Sequence, residues 1–354
     1  MIFDTMRGSM AQMGFFDFDK RLAVLSAKGD PLVMIDAVVA WQSFRPIIEA
    51  VVCRNRDQRK SNAGRKAYDV ILKFKMLILA SLFNLSDEQL EYMVRDRLSF
   101  MRFLGLGVED PVPDATTIWL FREELAKAGV VKELFDMFSR QLGAKGFMAR
   151  GGQMVDATIV AVPKQRNKRE ENATIKAGDV PQEWAEKPAK RRQKDTQARW
   201  TKKHGKSYFG YKNHVNSDVK NKFIRDYVVT DAAVHDSQVL DDLIDETNTS
   251  RELYADSAYR SAETECKLKQ RGIRSRIHQR GKRGAPLTER QQEANRKKSK
   301  RRARVEHIFG AQEMAPGGRL VRTIGIARAQ AKIGLQNLCY NIRRLVILER
   351  MAAA

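Results

Sequence analysis

Three acidic residues lie in surroundings where an acidic side chain is unusual. Asp156 stands inside an apolar, β-branched run that predicts a buried strand, where an unpaired charge is costly. Asp256 follows a short strand-like run, at the carboxyl end where open α/β sheets place their sites. Glu306 adjoins the apolar face of a predicted helix. The acids are 100 and 50 residues apart, so a shared site requires a fold that joins three distant segments.

Three convergent carboxylates are suited to holding hard divalent cations, which prefer oxygen ligands. Two such ions about 4 Å apart can activate an oxygen nucleophile and stabilise a leaving oxygen. The chemistry that these acids could support is therefore the transfer of a phosphodiester from one oxygen to another.

Each acid also has an ordinary structural explanation. Asp156 could pair with an arginine of the core, and Asp256 could cap the helix that follows it. Glu306 could form a salt bridge with Arg302 one helical turn earlier, although a base before an acid is the weaker order. From the residues alone, both explanations stay open for each acid.

The acids belong to a C-terminal region, residues 151–350, with a mixed order of elements. From Gly152 onward the periodicity predicts three strands, a helix, a strand, a helix, a strand and further helices. That order indicates an α/β fold with a mixed sheet flanked by helices. The predicted strands are 154–162, 208–216, 223–230, 253–255 and 274–277, and the predicted helices include 236–244, 261–270 and about 326–348.

The preceding region is predicted to be entirely helical. Residues 1–60 form an N-terminal arm and helix, whose apolar face around Trp41 packs on its own domain or forms a dimer interface. Residues 61–150 contain a capping box over Ser86–Gln89 and an N-cap at Asp114. Helix, break and helix are compatible with a helix-turn-helix DNA-binding motif, and equally with a helical bundle that has no DNA role.

Positive charge is concentrated in two segments of the chain. The 65 Lys and Arg residues exceed the 43 Asp and Glu residues by 22. Two basic inserts, 164–206 and 278–304, carry net charges of +8 and +9. Either could be a solvated loop, but two concentrated runs favour contact with a phosphate backbone. Membrane binding is disfavoured because neither run belongs to a helix with a long apolar face.

Composition argues against several other classes of protein. With 43% hydrophobic and 8% aromatic residues, the chain is globular rather than disordered or fibrous. Cys53, Cys266 and Cys339 lack the spacing of a disulfide framework or a structural zinc site. The most apolar run, 70–85, is too short to span a bilayer, and the N-terminus lacks a signal pattern. We therefore expect a soluble, intracellular protein.

An ordered set of short motifs resembles the DDE transposases of bacterial insertion sequences, most closely the IS-five group. The motifs are DATTI and FR within 114–122, VDAT at 155–158, YFGYKNH at 208–214, TDA and VHDS within 230–237, ADSAY at 255–259 and RVEHIFG at 304–310. The likeness runs from about Gly14 to Leu348. No single motif is specific, but the ordered set is.

The resemblance implies an RNase H-like catalytic domain in which Asp156, Asp256 and Glu306 are catalytic and hold two Mg²⁺ (or Mn²⁺) ions. With this chemistry no side chain needs to act as a covalent nucleophile. It implies cleavage at the ends of a mobile element and joining of the freed 3′-hydroxyl to target DNA. The implied partner is double-stranded DNA, both terminal inverted repeats and target, bound by a homodimer or larger assembly in the bacterial cytoplasm, at the nucleoid. The long first insert departs from the usual pattern, which leaves its role open.

Further residues are assigned to DNA or to support of the site. His235 and Asp236 precede a helix and could orient a ligand or touch DNA, although we favour an N-cap. Arg302, Arg304 and His307 share the segment of Glu306 and are predicted to contact phosphates of the scissile strand. The other predicted DNA contacts are Lys212, Thr116, Thr117 and Arg122.

Three alternative functions stay open. A catalytically silent descendant of a transposase would bind DNA as a regulator without cutting it. A structure-selective nuclease on the same fold would hydrolyse DNA without strand transfer. A basic scaffold or RNA-binding protein would show no dependence on metal ions.

Overall fold

The computed structural model describes residues 16–56, 67–203, 205–281, 284–314 and 320–353. Residues 1–15 of the predicted N-terminal arm and residues 57–66, which include the predicted boundary at residue 60, lie outside these ranges. Within the described ranges the helices before the first strand are α1 (Asp17–Ala27), α2 (Pro31–Val38), α3 (Arg45–Arg56), α4 (Val70–Phe83), α5 (Asp87–Asp96), α6 (Leu98–Leu104), α7 (Ala115–Ala128) and α8 (Val131–Ala144).

Two predicted helix starts are confirmed by their capping contacts. The Ser86 hydroxyl accepts a hydrogen bond from the Gln89 backbone N–H at 3.2 Å, and the Gln89 side chain accepts from the Ser86 N–H at 3.1 Å. Asp114 accepts from the Thr117 N–H at 2.6 Å and so begins α7. These contacts satisfy N–H groups that a helix leaves unpaired in its first turn.

The sheet has six strands: β1 (Gln153–Ala161), β2 (Arg199–Lys203), β3 (Lys206–Asp218), β4 (Ile224–Asp231), β5 (Glu252–Tyr254) and β6 (Arg274–Ser275). β1, β3 and β4 form an antiparallel meander, while β5 and β6 lie parallel to β1 on its other side. β2 pairs with the first residues of β3. An antiparallel meander continued by parallel strands is the RNase H-like arrangement, so the predicted α/β class is confirmed.

The remaining helices lie on both sides of the sheet and in the inserts. They are α9 (Arg169–Lys176), α10 (Gln182–Glu186), α11 (Pro188–Arg192), α12 (Leu240–Leu243), α13 (Ala262–Gln270), α14 (Glu289–Arg302), α15 (Glu306–Met314) and α16 (Ile326–Ala353). One face of the sheet packs on α12 and α13 through a core that includes Val155, Leu243 and Leu268. The other face packs on α16.

The long helix α16 joins the sheet to the N-terminal helices. Asn341 accepts from the Ile224 N–H at 2.9 Å and donates to its carbonyl at 2.8 Å, which fixes α16 against β4. Arg328 of the same helix binds the buried Glu123 of α7 through three contacts of 2.7–2.9 Å. A single hydrophobic core therefore includes residues from both sides of the predicted boundary at residue 150.

The apolar face around Trp41 is covered within the chain. Trp41 is 7% exposed, and its ring packs edge-on against Phe103 at 5.5 Å and Phe74 at 6.2 Å. Of the two predicted alternatives, packing on its own domain is therefore confirmed, and it removes the Trp41 ring from the surface that a second subunit could cover. Within the described residues, no single helix has the length and apolar composition for crossing a membrane; a pair bent by 61°, Pro31–Val38 and Trp41–Val52, passes those two criteria together.

The first basic insert is a folded unit, contrary to the solvated-loop alternative. Trp184 of α10 is fully buried, and its indole N–H donates to Glu171 of α9 at 2.7 Å. Asp195 accepts from the Tyr211 hydroxyl at 2.7 Å and from the Gly325 N–H at 3.1 Å, so the insert is fixed to β3 and to the segment before α16. The short helices and β2 give too little periodicity to be predicted from sequence.

Glu171 gives a stability prediction for this insert. Burial would raise its pKa, but hydrogen bonds from the Lys168 N–H, the Trp184 indole and Lys190 lower it to about 2. Glu171→Gln is therefore expected to cost about 2 kcal/mol of unfolding free energy at pH 7, a loss that disappears as the pH falls from about 4.5 towards 2. Urea titration of both proteins measures this, with Glu170→Gln, exposed on the same helix, as control. Equal losses for both variants would contradict it.

Candidate active site

Two of the three predicted acids come together at the centre of the sheet. Parallel β1 and β5 pair Gln153 with Leu253 and Met154 with Tyr254. Paired residues of the two strands thus differ by 100 in residue number, which is also the spacing of Asp156 and Asp256 in the sequence. Because alternate residues of a strand share a face, both aspartates lie at the same level and on the same face. The Asp256 carboxylate is close enough to raise the pKa of Asp156.

Asp156 is a poorly compensated buried carboxylate. Its side chain is 17% exposed. Its Oδ1 accepts from the Ala157 N–H at 2.8 Å, and its Oδ2 accepts from Arg302 at 2.8 Å. Burial raises the pKa of Asp156 to about 6, against the opposing effects of Arg302, the Ala157 N–H and Lys203. A second cation at this place would lower the cost of ionising the carboxyl.

Asp256 caps a turn and also lies near Asp156. It follows β5 and accepts from the Ala258 N–H at 2.8 Å, which caps the 3-10 turn Ser257–Tyr259. The capping explanation is therefore confirmed, and the same carboxylate still faces Asp156. A cap and a site ligand are compatible because one carboxylate has two oxygens.

Glu306 lies apart from the aspartate pair. It is the first residue of α15, and its side chain is 67% exposed. Arg302 approaches it at 3.9 Å, which is the helix salt bridge that the sequence left open. Across the described ranges no group of three or more His, Cys, Asp or Glu side chains is close enough to hold a metal ion. The structure thus brings two of the predicted ligands, Asp156 and Asp256, together. Arg302 lies between Asp156 and the third predicted ligand, Glu306.

Arg302 occupies the centre of this arrangement. Its guanidinium binds Asp156 at 2.8 Å and lies 3.9 Å from Glu306. Its buried Nε has no hydrogen-bond partner among the described residues. The side chain was predicted to contact DNA; in this structure it neutralises Asp156 instead, and the DNA contact stays a prediction.

The donor set at the pair fits a divalent cation in part. Asp156 and Asp256 offer hard oxygen atoms on one face, and the raised pKa of Asp156 shows that existing contacts leave its negative charge undercompensated. Glu306 would complete the set only after a change in its contact with Arg302. Two of the three residues therefore offer ligand atoms at one place, and Asp156 can take a cation once Arg302 releases it.

A second polar layer lies close to the pair and was not singled out from sequence. Tyr259 is fully buried, and its hydroxyl has no hydrogen-bond partner within the described ranges. Burial, together with Asp236, Asp156 and Asp256, raises its pKa. His214 is buried beside Asp236, 3.9 Å away, and burial lowers its pKa to about 4. Both residues lie in the motifs quoted above, which is the signal that could have identified them.

His235 and Lys212 serve the fold. His235 Nδ1 accepts from the Ser237 N–H at 3.3 Å, so it forms the N-cap that we favoured. Lys212 is 12% exposed and donates to Asp236 at 2.9 Å and to the Val234 carbonyl at 2.7 Å. The ammonium is largely buried and bound internally, and its contact with DNA stays a prediction.

The other predicted DNA contacts differ in accessibility. Arg122 forms a bidentate pair with Asp87, both contacts 2.7 Å, which fixes α7 on α5. Thr116 is exposed near the start of α7, whereas Thr117 is half-buried. Arg304 and His307 are exposed near Glu306, and Arg304 also donates to the Val219 carbonyl at 2.8 Å.

Both basic inserts approach the aspartate pair. The helix α14, which has no buried residue, packs on β5 and ends at Arg302. Its Lys298 donates to the Ile277 carbonyl at 2.8 Å, beyond β6. From the other insert, Lys203 lies close enough to Asp156 to lower its pKa. Positive charge therefore borders the carboxylates from two directions, as a polyanionic ligand would require.

Comparison with known proteins identifies two matching family models. Residues 149–342 match the family described as "Transposase DDE domain", and residues 20–124 match "Transposase domain (DUF772)". Among solved structures, the cryo-EM structure of a piggyBac transposase synaptic complex with hairpin DNA aligns with a TM-score of 0.44 at 11% identity, covering 91% of this chain and 75% of that chain.

Proposed function

This chain belongs to the transposase DDE domain family, and from that premise we propose that it is the DNA transposase of an insertion sequence. In this proposal it binds the element ends, cleaves the DNA there and joins the freed 3′-hydroxyl to target DNA. The observation that supports it is the proximity of Asp156 in β1 and Asp256 directly after the parallel strand β5. The motif set favours the IS-five group.

The residues that would hold two Mg²⁺ (or Mn²⁺) ions are Asp156 and Asp256, with Glu306 as the third ligand. Such ions, when bound, activate a water or 3′-hydroxyl and stabilise the leaving oxygen. Arg302 neutralises Asp156 in the present arrangement and must release it for the carboxylate to take a cation. Once released, its guanidinium is placed to bind a phosphate of the scissile strand.

The partners in this proposal are double-stranded DNA, as element ends and as target, and further copies of the chain. Two element ends must be held together for joint transfer, so we propose a homodimer or larger assembly on DNA. The place of action is the nucleoid in the bacterial cytoplasm.

The direct test is strand transfer by the purified protein. Oligonucleotides carrying the DNA that flanks the coding sequence serve as element ends, with a plasmid as target, in Mg²⁺, Mn²⁺ or EDTA. We expect joined products that require a divalent cation, scored separately from nicks by their length on denaturing gels.

Other results would replace this proposal with a named alternative. Metal-dependent nicks without joined product would indicate a structure-selective nuclease. Specific binding without cleavage in any metal would indicate a regulator. Activity that persists in EDTA would remove the two-ion chemistry altogether.

A further inference from the structure

The first basic insert presents a two-stranded hairpin whose role the proposed function does not explain. We call Arg199–Lys203 and Lys206–Gly210, the paired parts of β2 and β3, the β2–β3 hairpin. It contains basic residues and no acidic ones. Within the described part of the chain, Lys202, Lys203 and Lys206 form no salt bridge with a carboxylate. Their charge is therefore available to an external anion.

An aromatic surface accompanies this charge. Trp200 is 45% exposed and pairs across the strands with Phe209, the ring centroids 5.2 Å apart and the planes tilted by 41°. Lys164 lies 6.0 Å from the centre of the Trp200 ring. Lys202, two residues after Trp200, pairs with Ser207. Because alternate residues of a strand share a face, Lys202 lies on the same side of the hairpin as Trp200. A half-exposed indole beside ammonium groups is suited to a ligand that carries both flat rings and negative charge.

The hairpin is held at its base. The Arg199 guanidinium donates to the carbonyls of Thr196, Ala198 and Ile175 at 2.6, 3.1 and 3.1 Å. At the other strand, Gly210 has a φ of +154°, and a Cβ there would collide with the Val160 carbonyl oxygen. This close approach requires glycine. The surface is thus preorganised, so a ligand does not have to order it.

The location connects the hairpin with the aspartate pair. Lys203 is among the charges that lower the pKa of Asp156, so the basic end of the hairpin lies near that carboxylate. The first residues of β3 extend past Ala161, the carboxyl end of β1, and Asp156 lies five residues before that end. The end of the hairpin at Lys203 is therefore the part that connects it with the aspartates.

We propose that the β2–β3 hairpin binds unpaired DNA next to the cleavage site, with an unstacked base on Trp200, a neighbouring phosphate on Lys202 on the same side, and the next phosphates around the end of the hairpin at Lys203. Stacking on an aromatic ring needs an unpaired base and tolerates any base, while lysines follow the backbone. The inference rests on the proposed function, since it gives this protein a DNA end as substrate. It assigns the first insert the task of holding that end beside Asp156.

The test compares two DNA substrates in EDTA, where no cleavage occurs. One is an element-end duplex with a short single-stranded overhang that carries 2-aminopurine; the other is the same duplex fully paired. We expect Trp200→Ala to weaken binding of the overhang substrate about tenfold and to abolish quenching of the 2-aminopurine, with binding of the paired duplex unchanged. Trp200→Phe is expected to restore most of both signals.

Controls separate stacking from loss of folding and from simple charge effects. Tyr92→Ala removes another exposed aromatic, 67% exposed on α5, and is expected to change neither signal. Lys203→Ala is expected to weaken overhang binding and to reduce its salt dependence. Equal binding of both substrates by wild type and Trp200→Ala would overturn the inference, as would tighter binding of an RNA overhang.

The two proposals fail in distinguishable ways. If the wild type discriminates the overhang but never joins strands, the proposed function fails and the hairpin site stands. If strand transfer occurs while Trp200→Ala retains overhang binding and quenching, the hairpin inference alone fails.

Discussion

Replacing either Asp156 or Asp256 with asparagine is expected to lower metal-dependent cleavage and strand transfer by at least about 10³-fold, because each loses a charged ligand of the cations that stabilise the transition state. Asparagine keeps the shape of the side chain, and DNA binding in EDTA is expected to stay close to that of the wild type. The measurement is product formation per unit time on labelled element-end DNA, at saturating Mg²⁺.

A matched control and the third acid sharpen this prediction. Asp242→Asn alters an exposed aspartate on α12 and is expected to leave the rate unchanged. Glu306→Gln is expected to cause a loss comparable to that of the aspartate variants, although Glu306 is 67% exposed and apart from the pair. Wild-type rates in any of the three acid variants would show that the carboxylate concerned is not catalytic.

The second large effect concerns stability: the substitution that is expected to lower activity strongly is expected to stabilise the folded protein. In EDTA at pH 8, Asp156→Asn is expected to raise the free energy of unfolding by up to about 3 kcal/mol. This value follows from the difference between the pKa of Asp156 in the folded protein, about 6, and in the unfolded chain, 3.8. The raised pKa means that the ionised carboxyl costs stability. The wild type therefore loses stability as the pH rises from about 4 to about 6, while the variant does not.

Urea titrations from pH 4 to pH 8 measure the difference between the two proteins. They are expected to be equally stable near pH 4, where the aspartate of the folded wild type is protonated and therefore uncharged, like asparagine. Mg²⁺ is expected to stabilise the wild type and to have little effect on Asp156→Asn, since a cation that binds the folded state adds to its stability. A less stable variant at pH 8 would mean that Arg302 fully compensates the buried charge.

Together these expected results describe a site that is unfavourable without a cation. The raised pKa of Asp156 means that its ionisation weakens the fold, because Arg302 supplies only part of the compensation for burial. Groups that cost stability in this way are characteristic of functional sites.

Much of the fold could be predicted from sequence because local rules specify it. The capping contacts of Ser86 and Asp114 act within three residues, and each was predicted correctly. β1 and α16 follow from β-branched and helical periodicity, and their observed bounds differ from the predicted ones by a few residues. The position of Asp156 inside a strand and of Asp256 after one was likewise determined locally.

The contacts of the charged side chains were decided by the tertiary structure. The register of β1 and β5 brought Asp156 and Asp256 together, whereas Arg302, 146 residues further along the chain, separated Glu306 from them. Lys212 was bound internally by Asp236. No local pattern could show these outcomes, because a charge binds whichever opposite charge the fold brings within a few ångströms, and burial then fixes the cost.

The sequence by itself determined which residue types stand at the edge of the sheet and where the positive charge is concentrated. Only the tertiary structure decided that the first basic insert folds around Trp184, leaves Trp200 half-exposed and brings Lys203 near Asp156. It also buried the face of Trp41, which the sequence left open to a partner. The reason is physical: propensities and caps act over one or two turns, but burial depends on which distant segments fill the same volume.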